Sequence, residues 1–159
     1  ALAQRLRALN ARTLEALGLE NGVSHSEYIQ DADGALHSLE TSARVGGAHI
    51  AEMIEAGTGA NLWREWARLE AAPTYADYVP PEDHGLAAGL LVCLARDARP
   101  DLSSFDAPEV WWRLDKEHHA GLVVRGPDPE RIDQLLDDYA ARLTRDVLAA
   151  LPPRETVGH

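Results

Sequence analysis

Hydrophobic and polar positions change period several times along the chain, and each change marks an element. Leu2, Leu6, Leu9, Leu14 and Leu17 recur at helical spacing and Gly18 follows as a C-cap, which predicts an amphipathic helix ending at Leu17 with Arg5, Arg12 and Glu15 on its solvated face. Residues 25–47, HSEYIQDADGALHSLETSARVGG, switch to alternation around Asp33-Gly34, a pair that tolerates the positive φ of a two-residue type I′ turn. With those two as the loop, Ala32 faces Ala35, Tyr28 faces Leu39, Glu27 faces Glu40 and His25 faces Ser42. Because side chains alternate, His25, Glu27, Ile29, Glu40, Ser42 and Arg44 fall on one side of the ribbon, and Ser26, Tyr28, Leu39 and Thr41 on the other.

Gly46-Gly47 lead into a short helix over 48–56 with a stripe of His49, Ile50, Met53 and Ile54, and Asn61 caps a second helix to about Ala71. Leu62, Trp66 and Leu69 share a face of that helix and read as core. His49 reads as a core or capping histidine rather than a base. Pro73, Pro80 and Pro81 mark a loop-rich boundary. Beyond it, 85–96 is a continuous apolar run suited to a buried strand, and 110–114 and 120–125 read as two more strands, with Trp111 and Trp112 on opposite faces. His118-His119 sit at the turn between them, where no cysteine or acidic partner recurs at metal-ligand spacing. Asp128-Pro129-Glu130 opens a helix with an N-cap, proline at N1 and an acidic first turn. Its face of Ile132, Leu135, Leu136, Tyr139, Leu143 and Val147 runs to about Leu151, where Pro152-Pro153 stop it.

Composition narrows the possibilities. The chain has 159 residues, of which 45% are hydrophobic, which suffices for a real core. A formal net charge of −11 repels phosphate backbones and anionic lipids, so no nucleic-acid or membrane-surface partner is expected. The longest apolar run, 86–95, is about half of the roughly 20 residues a spanning helix needs, and no signal-peptide pattern opens the chain. Cys93, the single cysteine, lies in that run, so no disulfide framework exists; a buried, inert thiol in a reducing, cytoplasmic setting is the reading. The chain begins at Ala1 inside a helical pattern, as a piece of a longer polypeptide would. No internal repeat or glycine-rich phosphate loop occurs.

The chemistry concentrates in the ribbon. Two glutamates directly opposite each other place their Cβ atoms about 5 Å apart and repel unless something offsets the charge. Two readings stay open: a solvated face with both side chains splayed into water, or a divalent cation shared by the pair. Mg²⁺ takes one or two carboxylates and completes its shell with waters and substrate phosphates, so the pair suits a metal–nucleotide complex better than a closed metal cage.

Glu27 on one strand, then Glu40-Thr41-Ser42-Ala43-Arg44 on the next, then Gly46-Gly47 and a helix, resembles the end of an ATP-grasp domain. The resemblance runs from about Leu14 to about Ala71, with a weaker similarity beyond to the carboxylate–amine ligase branch of the L-amino acid ligase type. In that family a Glu on one strand and Glu-x-Asn-x-Arg on the next hold the Mg²⁺ (or Mn²⁺) ions of ATP. The resemblance implies Glu27, Glu40 and Ser42 as metal ligands, Arg44 as the catalytic contact to the acyl phosphate, and Gly46 and Gly47 as amides facing a developing anion. Ser42 departs from the pattern: it stands where the family has Asn, and its hydroxyl is a poorer ligand than an amide oxygen. Lys116 is the only lysine, so the lysines with which the family binds phosphate would lie upstream of Ala1, as would the adenine hinge.

The expected fold is therefore α+β: an antiparallel hairpin-based sheet flanked by helices, then a small antiparallel unit closed by a C-terminal helix. Residues 1–72 would be the C-terminal part of an ATP-grasp domain, 73–83 a linker, 84–152 a C-terminal α+β subdomain and 153–159 a disordered tail. The expected function is the C-terminal fragment of an ATP-dependent carboxylate–amine (or carboxylate–thiol) ligase, inactive alone, taking ATP, a small carboxylate and an amine. The alternatives are a non-catalytic ATP-grasp remnant and a stand-alone binding or dimerisation module. A homodimer is among the open assemblies.

Overall fold

The computed structural model describes residues 2–149. They form an α+β fold that divides into two compact units, one made of the chain up to Ala51 with Ala60–Glu82, the other of Glu52–Gly59 with the chain from Asp83 onward.

In the first unit, helix α1 (Leu2–Ala16) precedes the strands β1 (His25–Gln30) and β2 (Leu36–Ser42), which pair only with each other. Gly18, at φ 73°, ends the helix: Gly18 N–H bonds the Glu15 carbonyl and Leu19 N–H bonds that of Leu14, so the last carbonyls are satisfied by a left-handed C′ residue. The Tyr28 hydroxyl donates to Asn10 Oδ1 at 2.8 Å and ties β1 to the helix.

The loop of the hairpin differs from the expected type I′ turn. It has three residues, Ala32, Asp33 and Gly34, and only Gly34 takes positive φ, at 81°. The cause is Asp31, whose backbone carbonyl accepts from Gly34 N–H at 3.0 Å and whose carboxylate accepts from Ala35 N–H at 2.8 Å. An Asp at the first position of an ordinary turn, with glycine at the left-handed position after it, outcompetes the two-residue alternative. The longer loop shifts the ladder by one, so Tyr28 faces Ser38 and not Leu39. A β-bulge then leaves Leu39 unpaired and restores the register, so that Glu27 faces Glu40 and His25 faces Ser42.

After β2 the chain turns through Gly46-Gly47. Helix α2 (Ile50–Thr58) begins two residues later than the apolar stripe suggested, because Ala48 and His49 take φ of 50° and 67° and Ile50 N–H closes a turn onto the Gly47 carbonyl. Helix α3 (Leu62–Ala71) starts as expected, with Asn61 Oδ1 accepting from Arg64 N–H. Its aromatics are not the core: Trp63 is exposed, Trp66 half-buried, and the buried residue is Glu65. A 3₁₀ turn, Tyr75–Asp77, follows within the proline-marked stretch.

The second unit is a three-stranded antiparallel sheet of β3 (Ala87–Leu94), β4 (Val110–Arg113) and β5 (His119–Gly126), ordered β3-β5-β4. Helix α4 (Pro129–Asp146) packs on one face, setting Ile132, Leu135, Tyr139 and Leu143 against Ala120, Leu122 and Val124 of the central strand, with Leu102 and Phe105 joining the cluster. Asp128 caps it, accepting from Glu130 N–H at 3.1 Å, and Pro129 fills the first turn. The helix stops at Asp146, short of the expected end near Leu151, because the following residues return to the sheet: Leu148 bridges Ala95, and Ala149 N–H bonds the Leu94 carbonyl. Leu151, Pro152-Pro153 and the tail 153–159 lie outside the described residues. Trp112 is half-buried, while Trp111 is exposed with the Arg125 guanidinium 5.3 Å over its ring.

Candidate functional site

The ribbon's two faces have different work. On one face Tyr28 reaches α1 through Asn10, and Thr41 Oγ1 donates to Ser26 Oγ at 3.3 Å across the ribbon. The opposite face carries four polar residues on two alternate rungs, His25–Ser42 and Glu27–Glu40, with Ser26–Thr41 between them. Each glutamate is engaged by the residue two positions away on its own strand, which alternation places on the same side. His25 Nε2 lies 3.2 Å from Glu27 Oε1, and Ser42 Oγ donates to Glu40 Oε1 at 3.0 Å. Each bond uses one of the two oxygens of its carboxylate. The four side chains thus form a rectangle, acidic on one rung and hydrogen-bond-donating on the other.

The remaining residues of the motif are placed less convergently. Arg44 lies two residues past β2, exposed, with Nη1 donating to the carbonyl of its neighbour Val45 at 3.0 Å. Gly46 is buried: a Cβ built on it would stand 2.9 Å from Nδ1 of His25 and 3.3 Å from Cγ2 of Ile50. Gly47 is exposed, and its carbonyl faces the start of α2. Among the described residues no three His, Cys, Asp or Glu side chains converge on one point. The oxygen-bearing side chains on this face are the carboxylates of Glu27 and Glu40 and the hydroxyl of Ser42, and oxygen donors are the kind that hard cations such as Mg²⁺ take.

Two residues were not singled out by sequence pattern. His25 was placed on the acidic face without a role, although its spacing of two from Glu27 was the signal that the pair would meet. Glu65, 4% exposed, accepts from Arg68 Nη1 at 2.7 Å, from the Tyr78 hydroxyl at 3.2 Å and from Arg64 Nε at 3.4 Å. Burial, and then the neighbouring Glu65 carboxylate, push the Tyr78 phenol above its ordinary value of 10.0. This cluster pins the 3₁₀ turn to α3, and its sequence signal was a Glu three residues before Arg68 on the same helical face as Leu62. In the second unit, burial likewise pushes the Cys93 thiol up, away from nucleophilic use.

No family model matches the sequence, and neither does any curated protein sequence. Solved structures do match in fold. An L-amino acid ligase from Bacillus licheniformis superposes with a TM-score of 0.65 at 15% identity, over 93% of this chain and 41% of the other. A phosphoribosylglycinamide synthetase from Anaerococcus prevotii does so with a TM-score of 0.60 at 12% identity, over 95% of this chain and 42% of the other. This chain spans about two fifths of the length of the solved structures it matches. Both are ATP-grasp enzymes, and the likeness is one of fold. Among the described residues no helix is long and apolar enough to cross a membrane.

Proposed function

We propose that this chain, built on a partial ATP-grasp fold, is the C-terminal part of an ATP-dependent carboxylate–amine ligase acting in the cytoplasm. The observation that carries the reading is the Glu27–Glu40 rung, two glutamates paired across a ribbon that runs into a glycine turn and a helix. In the reaction a carboxylate oxygen attacks the γ-phosphorus of ATP and ADP leaves, giving an acyl phosphate. The amine then attacks the acyl carbon, inorganic phosphate departs with the C–O bond electrons, and the amine nitrogen loses its proton.

Glu27 and Glu40, with Ser42, would hold Mg²⁺ or Mn²⁺, which supplies charge neutralisation between the transferring phosphates. Ser42 donates its hydrogen to Glu40 and keeps oxygen lone pairs for a metal or its water. Arg44 offers a guanidinium to the acyl phosphate and the tetrahedral oxyanion, a contribution preorganised electrostatics make large. Its exposed position leaves it able to swing toward a substrate. Gly47 presents the exposed backbone of the turn, while Gly46 supports His25 from beneath.

The test is kinetic, in the full polypeptide that carries this chain. Glu40→Gln is expected to lower kcat far more than it raises KM for the amine, because phosphoryl charge is handled before the amine reacts, and hydroxylamine is expected to trap the acyl phosphate as a hydroxamate. An equal effect on every substrate, with no hydroxamate, would contradict the reading. The 159-residue chain alone is expected not to bind Mg–ATP with micromolar affinity in isothermal titration.

A further inference from the structure

Glu27 could reach many rotamers from an exposed strand position, yet its carboxylate is held. Its side chain is 49% exposed, whereas that of His25, its partner, is only 21% exposed. A carboxylate is acceptor-only, so Nε2 of His25 carries the hydrogen of the 3.2 Å bond to Glu27 Oε1. The Nδ1 edge of the ring rests on Gly46, where a Cβ would lie 2.9 Å from Nδ1 and 3.4 Å from Cε1, and 3.3 Å from Ile50 Cγ2. The ring is therefore wedged between the backbone of the glycine turn and the carboxylate. No side chain larger than hydrogen fits at residue 46 without displacing it.

We infer that His25 is a positioning residue: seated on Gly46, it fixes the Glu27 carboxylate opposite Glu40 and so couples the shape of the glycine turn to the affinity of the carboxylate pair for a divalent cation. The inference rests on the reading that this pair holds a cation. Ser42, on the same rung as His25, plays the matching part for Glu40 on the facing strand, so both carboxylates are oriented from the open end of the ribbon. Partners that orient ligating groups commonly contribute 10–100-fold, as an order of magnitude, to metal affinity. Gly46 in this account serves a close approach and not a turn conformation, since its φ is not positive.

The experiment is an NMR titration of the 159-residue chain with Mn²⁺ alone, whose paramagnetism broadens amide signals near it and reports even millimolar binding. It is run on the wild type, His25→Leu, His25→Gln and Gly46→Ala, with chemical denaturation of each in the absence of metal. In the wild type, broadening is expected to centre on Glu27 and Glu40. His25→Leu should weaken Mn²⁺ binding by about 10-fold or more, Gly46→Ala should do the same by pushing the ring aside, and His25→Gln, whose amide still donates, should recover most of the affinity. A merely structural histidine predicts another pattern: all three variants lose metal-free stability together, and Gln rescues nothing. His25→Leu binding Mn²⁺ like the wild type, or His25→Gln as weak as His25→Leu, overturns the positioning role while the cation site stands. Wild type without localised broadening overturns the cation site itself, and the positioning role with it.

Discussion

The two units solve the folding problem differently. In the C-terminal one, the central strand β5 buries Leu122, Val123 and Val124 completely, and α4 closes a continuous apolar cluster over one face. In the N-terminal one, α1 has no buried residue, neither strand of the hairpin has one, and Leu39 stands 61% exposed at the bulge. An isolated two-stranded ribbon is marginal in water, and this one is held by named polar contacts: Tyr28 to Asn10, Arg5 to the Gly34 carbonyl at 2.6 Å, and Asp31 across its own turn. The difference teaches where stability and chemistry reside. The apolar core is the scaffold, and the candidate site sits on the element that can adjust, as ligand-binding elements generally do.

Substitution in the two units should expose this contrast most strongly in the core. Leu122→Ala is expected to cost about 2–5 kcal/mol in chemical denaturation, whereas Leu39→Ala should stay within about 0.5 kcal/mol. Similar costs for both would break the contrast. The next effect sharpens it from inside the N-terminal unit, where Glu65 is the one buried charge among the described residues. Glu65→Ala should destabilise by about 1–3 kcal/mol, because it strips the part-buried Tyr78 hydroxyl of its acceptor while Arg64 and Arg68 can turn to water. Tyr78→Phe in the same background should then cost nothing more.

The pH dependence of the hairpin is a smaller effect. The His37 ring and the Ala35 amide hold the Asp31 carboxyl below its ordinary value of 3.8. A depressed folded pKa means a contribution that is present above pH 3.8 and lost as pH falls through the lower folded value. Protection of the turn amides, taken relative to the intrinsic exchange rate at each pH, should therefore fall on acidification below pH 3.8, and Asp31→Asn should remove that step. A wild type and variant with the same acid profile would show that the turn does not depend on this carboxylate.

Much of this architecture was legible from residue pattern, and the failures have physical causes. Period-two alternation located both strands of the ribbon, and the Asp-Pro-Glu signature located the start of α4 to the residue. The Glu27–Glu40 rung was placed correctly from an incorrect loop: a third loop residue moved the ladder by one, and the Leu39 bulge moved it back. Pattern alone could not anticipate that Asp31 would cap its own turn or that a bulge would compensate. The start of α2 was misplaced because two non-glycine residues, Ala48 and His49, adopt left-handed backbone, which composition does not announce. The end of α4 is set by pairing with residues some fifty positions earlier, near Ala95, and no local signal carries that. On the ribbon, the rung was readable by counting, but the seating of His25 on Gly46 needs three-dimensional proximity between the start of β1 and the turn after β2.

The most direct test of the central claim, that the facing glutamates form a cation site, is the Mg²⁺ dependence of stability in the wild type, Glu27→Gln and Glu40→Gln at low ionic strength. Without metal, each variant should be more stable than the wild type by about 0.2–1 kcal/mol, since one charge of a repelling cross-strand pair is gone. Millimolar Mg²⁺ should then stabilise the wild type more than either variant, because a ligand that binds only the folded state raises its stability as its concentration exceeds Kd. If both variants are destabilised without metal and Mg²⁺ changes none of the three, the glutamates point apart into water and the cation site is contradicted.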